Sequence, residues 1–327
     1  MIHTAVCDVL GIRHPVVLGG MAGSTSVPLV AAVSNAGGLG TLGIARTPAD
    51  KIPGDIAAIR DATKQPFGVN FLLFRASEPA IEAALAARPP VFSAAWARAD
   101  QDLPALFGRA HAAGSVVMYM AGTVPEAQRA KGAGADVLVA QGTEGGGHVG
   151  WMASMAVLPM IVDAVAPTPV IAAGGIADGR GLAAALALGA QGVLLGTRFL
   201  ATKESPLHPN FKQAVIDSDG HDTVLTEIPD IARGDVWPGA MARARRNTFI
   251  GRWAGRESEL RARQAEAVAA LQRAMEAGDA DNASLLIGQD AGLIRDIPSA
   301  GEVVERMVDE ASRLLKDRLP SLVQGGR

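Results

Sequence analysis

Apolar positions along the first two hundred residues fall into blocks. Short, nearly continuous apolar runs are separated by longer stretches in which apolar side chains recur every three or four positions. A continuous run suits a strand covered on both faces, and the three-to-four spacing suits a helix with one buried side. The blocks therefore predict repeated strand-helix units around a parallel sheet. Eight runs qualify as strands: PVVLGG (15–20), GLGTLGI (38–44), FGVNFLL (67–73), PVFSAA (90–95), SVVMYM (115–120), DVLVA (136–140), PVIAAGG (169–175) and GVLLG (192–196). Eight units in series favour closure into a (β/α)8 barrel of the TIM type over an open sheet.

After the eighth run the rhythm changes. Residues 208–298 show no clear strand but include the amphipathic stretch RESELRARQAEAVAALQRAMEAG (256–278), predicting an inserted helical second domain. The tail returns to helical spacing, with Val304, Val308, Ala311, Leu315 and Leu319 on one face, as expected of the barrel's last helix. The predicted organisation is a barrel of residues 1–207 and 299–327 with a helical domain of 208–298 on its substrate side.

Composition narrows the classes. Lys plus Arg (30) nearly balances Asp plus Glu (33), so no broad basic field exists to draw nucleic acid. No apolar run has the length that spans a bilayer, and the start MIHTAVCDVLGIRHP lacks a secretory layout, so no membrane segment and a cytoplasmic location are expected. The single cysteine, Cys7, excludes an intrachain disulfide and a cysteine-built zinc site, and reads as a small buried hydrophobe.

In such a barrel, chemistry sits where strands end and the following loops begin. The first run ends in Gly19-Gly20-Met21-Ala22-Gly23, the third carries Asn70, the sixth opens into Gln141 and QGTEGGGHVG, the seventh ends in Gly174-Gly175 and the eighth in Gly196-Thr197. Glycines after the last two strands expose backbone N–H groups, and a helix starting near Thr197 would add its positive end, together forming a phosphate cradle. Either pair alone could simply make a tight turn; two pairs at matching positions favour the cradle. Across the mouth, Met21 offers an apolar platform, Asn70 an amide and Gln141 a partner for hydroxyls, a set that suits FMN. Gly145, Gly146 and Gly147 let the loop lie close over a ring and deliver His148 beside it. Of the six histidines only His148 faces the predicted site, where imidazole can take a proton near neutral pH. Gly38-x-Gly40-x-x-Gly43 matches a dinucleotide fingerprint in spelling, but it follows a helix and runs into a strand, the reverse of the required order.

With these residues assembled, the chain resembles the nitronate monooxygenase family, through HPVVLGGMAG, AAVSNAGGLGTLG, FGVNF, QGTEGGGHVG, PVIAAGGIADGRGLAAALALGAQGVLLGTRFLAT and GQDAGL (288–293). The resemblance implies a TIM barrel, one noncovalent FMN, no metal, and oxidation of an alkyl nitronate or nitroalkane with O2 to a carbonyl compound and nitrite. It assigns FMN contacts to Met21, Ala22, Asn70, Gln141, Gly146, Gly174, Gly175, Gly196 and Thr197, and the catalytic base to His148. Gly145 stands where the family often has alanine, and the segment 208–298 matches weakly outside GQDAGL. Two other readings stay open: an FMN-dependent NAD(P)H reductase of quinones or enoyl-acyl-carrier-protein thioesters, which shares these segments, and a non-catalytic barrel that binds a phosphorylated ligand. The His148 loop argues against the last. The expected partners are the small substrate and O2, with a homodimer as the assembly to test.

Overall fold

The computed structural model describes residues 2–324. Its strands, in chain order, are β1 (Val16–Leu18), β2 (Gly40–Gly43), β3 (Phe67–Leu72), β4 (Val91–Ala95), β5 (Val116–Ala121), β6 (Val137–Gln141), β7 (Gly147–Val149), β8 (Val170–Ala173), β9 (Val193–Leu195), β10 (Thr223–Thr226) and β11 (Met241–Arg245). Each of the eight apolar runs contains one strand of the barrel sheet, whose order is β1-β9-β8-β6-β5-β4-β3-β2 with parallel pairing throughout. A parallel bridge between Val17 and Leu39 joins the two ends, with Leu18 N–H donating to Leu39 O at 2.8 Å and Leu39 N–H to Val16 O at 3.0 Å.

Successive strand residues face opposite sides, so each strand serves two cores. Val16 and Leu18 pack outward with the helices, whereas Val17 packs inward with Val91, Met118, Val139 and Ile171. The N-terminal helix Ala5–Leu10 adds Val6, Cys7 and Leu10 to that inner layer, and Cys7 is buried. The glycine fingerprint lies where its context predicts, after the helix Val27–Asn35 and into β2.

The segment 208–298 differs from the purely helical expectation. It carries β10 and β11, which pair antiparallel with each other, and β11 pairs with β7 to make a second, three-stranded sheet. These strands are short and half polar, so they lack the continuous apolar run that marks the barrel strands. The stretch 256–278 is two helices, Glu257–Ala262 and Gln264–Ala277, broken at Arg263 where φ is −117°. In the tail, Val304, Val308 and Ala311 are buried as expected, but Leu319 is 41% exposed. A π-helical turn over Leu314–Arg318 accounts for it: the extra residue per turn rotates the next side chains off the buried face. Among the described residues no helix is long and apolar enough to cross a membrane.

Candidate active site

A cavity of about 640 Å3 opens at the C-terminal ends of the barrel strands. Met21, Ala22, Asn70, Gln141, Gly146, His148, Gly174, Gly175, Gly196 and Thr197 all line it, so the fold brings the whole sequence-derived set into one space.

The cradle side is backbone. Gly174 and Gly175 have φ of +96° and +73°, a region that side-chain-bearing residues avoid, and a Cβ on Gly174 would come within 2.7 Å of Gly142 O. The helix after β9 spans only Thr197–Leu200, so its summed peptide dipole is small and the expected contribution of a helix end shrinks accordingly. Gly146 is a close-approach position: a Cβ there would lie 2.6 Å from Gly288 N, in the GQDAGL turn that folds back over the cradle. Gly288 N–H donates to Thr197 Oγ1 at 2.9 Å, so this hydroxyl is already engaged within the protein.

Asp290 follows in the same turn, lines the cavity and is buried. Burial pushes its carboxyl up to about 7, opposed by its own backbone N–H, the Thr197 hydroxyl and Arg198. An unfolded aspartate releases its proton near pH ~4, so between there and pH 7 the folded state binds more protons, and stability falls as pH rises. Asp290→Asn removes the titrating group. Its stability is expected to decline less from pH 5 to pH 8 than that of the natural chain, by on the order of 2–4 kcal/mol. Denaturant unfolding at the two pH values measures this directly, and equal declines would show that Asp290 holds no extra proton.

The opposite wall can hold a flat ring. Met21 Sδ lies against Gly196, where an added Cβ would be 3.3 Å away. Asn70 is fixed from two sides: its Nδ2 donates to Gly20 O at 3.2 Å and its Oδ1 accepts from Ser93 Oγ at 2.8 Å. The Gln141 amide is buried at the end of β6 and has no side-chain hydrogen bond among the described residues. Ser284 Oγ, also on the cavity wall, is buried without a partner. Buried polar groups left open toward a cavity are what a polar ligand would satisfy.

His148 sits on β7, opposite Ala242 of β11. Its Nε2 lies 2.9 Å from Asp230 Oδ2, and both side chains are nearly buried, at 11% and 8% exposure. Trp237 stacks on the imidazole with centroids 3.3 Å apart and planes at 10°, and packs in turn against Phe74 and Trp96. Asp230, Trp237 and Arg233 also line the cavity, and sequence reasoning does not assign them to it. The arginines at 233, 243, 245 and 246 do not share one solvated helix face. Arg233 faces the cavity, Arg243 is buried on β11 and donates from Nε to Thr143 O at 2.8 Å, and Arg245 pairs with Asp222 at 3.1 Å; Arg246 alone is exposed. No cluster of three or more His, Cys, Asp or Glu suited to a metal occurs among the described residues.

The family model described as nitronate monooxygenase matches residues 3–88 and 78–310. The chain belongs to the nitronate monooxygenase family. Its relatives in and around this family do not all carry the same name. It is 34% identical to the (3aS,4S,5R,7aS)-5-hydroxy-7a-methyl-1-oxo-octahydro-1H-indene-4-carboxyl-CoA dehydrogenase of Mycobacterium tuberculosis, over 95% of this chain and 96% of that protein. The structure of FabK from Thermotoga maritima superposes with a TM-score of 0.88 at 34% identity, covering 98% of this chain and 100% of that one. A nitroalkane oxidase from Streptomyces ansochromogenes superposes at 0.80 with 30% identity, covering 95% and 98%. As a nitronate monooxygenase family member the chain is an oxidoreductase.

Proposed function

We propose that the chain is an FMN-dependent monooxygenase that oxidises alkyl nitronates, and nitroalkanes through them, with O2 to carbonyl compounds and nitrite. The observation that carries this reading is the His148–Asp230 pair, set in the same cavity as the glycine cradle. The N–H groups around Gly174, Gly175 and Gly196 would hold the phosphate, Gln141 the ribityl hydroxyls, and Met21, Asn70 and Gly146 the ring. Bound FMN would supply the electron acceptor that the side chains lack. Donation from His148 Nε2 to Asp230 fixes the tautomer that leaves the lone pair on Nδ1, which is the form that can take a proton from the carbon next to a nitro group. Trp237 covers one face of the imidazole and so holds the ring plane, with its in-plane lone pair, in a fixed orientation.

A second reading, a flavin-dependent enzyme of acyl thioesters, draws on the names of the mycobacterial and Thermotoga relatives. It is also favoured by the cavity's reach to Val268, Leu271 and Met275 on the helix Gln264–Ala277, beyond the cradle and His148. Anaerobic stopped-flow mixing separates the two. A monooxygenase of nitronates should lose its flavin absorbance rapidly with an alkyl nitronate and sluggishly with NADH or NADPH. Fast bleaching by a nicotinamide nucleotide with none by a nitronate would overturn the proposal.

A further inference from the structure

Around His148 the guanidinium groups outnumber the carboxylates that can answer them. Asp235 is fully committed: Arg75 grips it with both prongs of its fork, Nη1 to Oδ2 at 2.9 Å and Nη2 to Oδ1 at 2.7 Å, and Arg46 Nη2 donates to Oδ2 at 3.2 Å. Asp230 is committed to His148. Arg233 is left over. It ends the helix Ile228–Arg233 one turn after Asp230, so the two share a face, and it lines the same cavity as His148 and Trp237. Among the described residues no carboxylate comes within 4.0 Å of its guanidinium, and the one hydrogen bond it makes is a long one, 3.4 Å from Nη1 to Pro229 O.

A half-buried guanidinium does not escape this by losing its proton, because its charge persists across the physiological range. Burial, with Arg46 and Arg75 nearby, pulls it below its usual range, while Asp230 and Asp235 pull back. A charge without a paired partner at a cavity wall is costly, and an anion brought in by a ligand would offset that cost. The number of free forks sets the kind of anion. Arg46 and Arg75 are pinned on Asp235, so only the Arg233 fork is open, which matches a single planar group with two oxygens rather than a phosphate dianion needing several converging donors.

We propose that Arg233 is the receptor for a planar, two-oxygen monoanion on the substrate, a nitronate or carboxylate head group, with Arg46 and Arg75 lending positive potential. This rests on the reading of the cavity as the substrate site of a flavin oxidoreductase.

The test is equilibrium binding to the flavin-loaded enzyme at fixed ionic strength, with propionate, its neutral isostere propionamide and inorganic phosphate as probes, followed by the flavin difference spectrum. Propionate should bind at least about tenfold more tightly than propionamide, the scale of a hydrogen-bonded charge pair. Arg233→Gln should abolish that preference and leave propionamide unchanged. Arg233→Lys, which keeps the charge and loses the fork, should retain part of it and decides the matter if the glutamine variant does not hold flavin. Equal binding of the two probes, no effect of either substitution, or phosphate bound in preference to propionate would overturn the assignment. The KM of an alkyl nitronate with no other charge then distinguishes the sources: a rise in R233Q places the nitronate on the fork, and no rise places a separate carboxylate there. Because binding is read without turnover, failure here is distinct from failure of the monooxygenase reading, which anaerobic reduction decides.

Discussion

His148→Asn is expected to keep its flavin and lose about a hundredfold or more in turnover, the scale of a missing general base. The proposed cradle and all the proposed ring contacts but Gly146 come from other loops, and the substitution leaves the Gly146 backbone in place, so cofactor content should match that of the natural enzyme, whereas the 2.9 Å pairing with Asp230 loses its imidazole. The loss should be larger on a neutral nitroalkane than on its preformed nitronate, since only the former must give up a proton. Asp230→Asn should follow in the same direction, because an amide that donates to Nε2 favours the tautomer that protonates Nδ1 and removes the lone pair the base needs. Steady-state rates on the two substrate forms, with flavin content determined in parallel, measure this. Equal losses on both forms would assign His148 to binding instead.

Gly175→Leu has the other large expected effect: folded but largely colourless protein. At φ +73° the backbone tolerates glycine and strains other residues, and the new side chain would grow toward Glu144 Cβ, 3.3 Å from the added Cβ, at the mouth of the cradle. The flavin-to-protein absorbance ratio after gel filtration reports the outcome, with circular dichroism to confirm the fold. Full flavin occupancy in this variant would show that the phosphate binds elsewhere.

The barrel is legible in the sequence because parallel strands buried on both faces must be continuous apolar runs, and each of the eight runs holds a strand. The strand-end residues are legible for a related reason: backbone held at positive φ or pressed against other backbone is written in glycine, as at Gly146, Gly174 and Gly175. Asp230, Arg233 and Trp237 leave no such mark. Asp230 is 82 residues from its partner His148, in the stretch IPDIARGDVWPG, whose mixed charge reads as an ordinary solvated helix and turn. β10 and β11 mix polar and apolar residues over only four and five positions, too few to announce a strand. Asp290 is visible in the sequence only as part of GQDAGL; its burial depends on the fold-back of that turn onto Gly146 and Thr197, which no local pattern encodes.

The pairing of β7 with β11 joins the two stretches of chain that build the site. The barrel loops furnish the glycine-rich wall of the cavity, while one contiguous stretch from Asp230 to Met275 furnishes the carboxylate paired with His148, the unpaired guanidinium, the indole stacked on the imidazole and the far wall. Substitutions confined to that stretch would reshape what the cavity accepts while leaving the glycine turns of the barrel side unchanged.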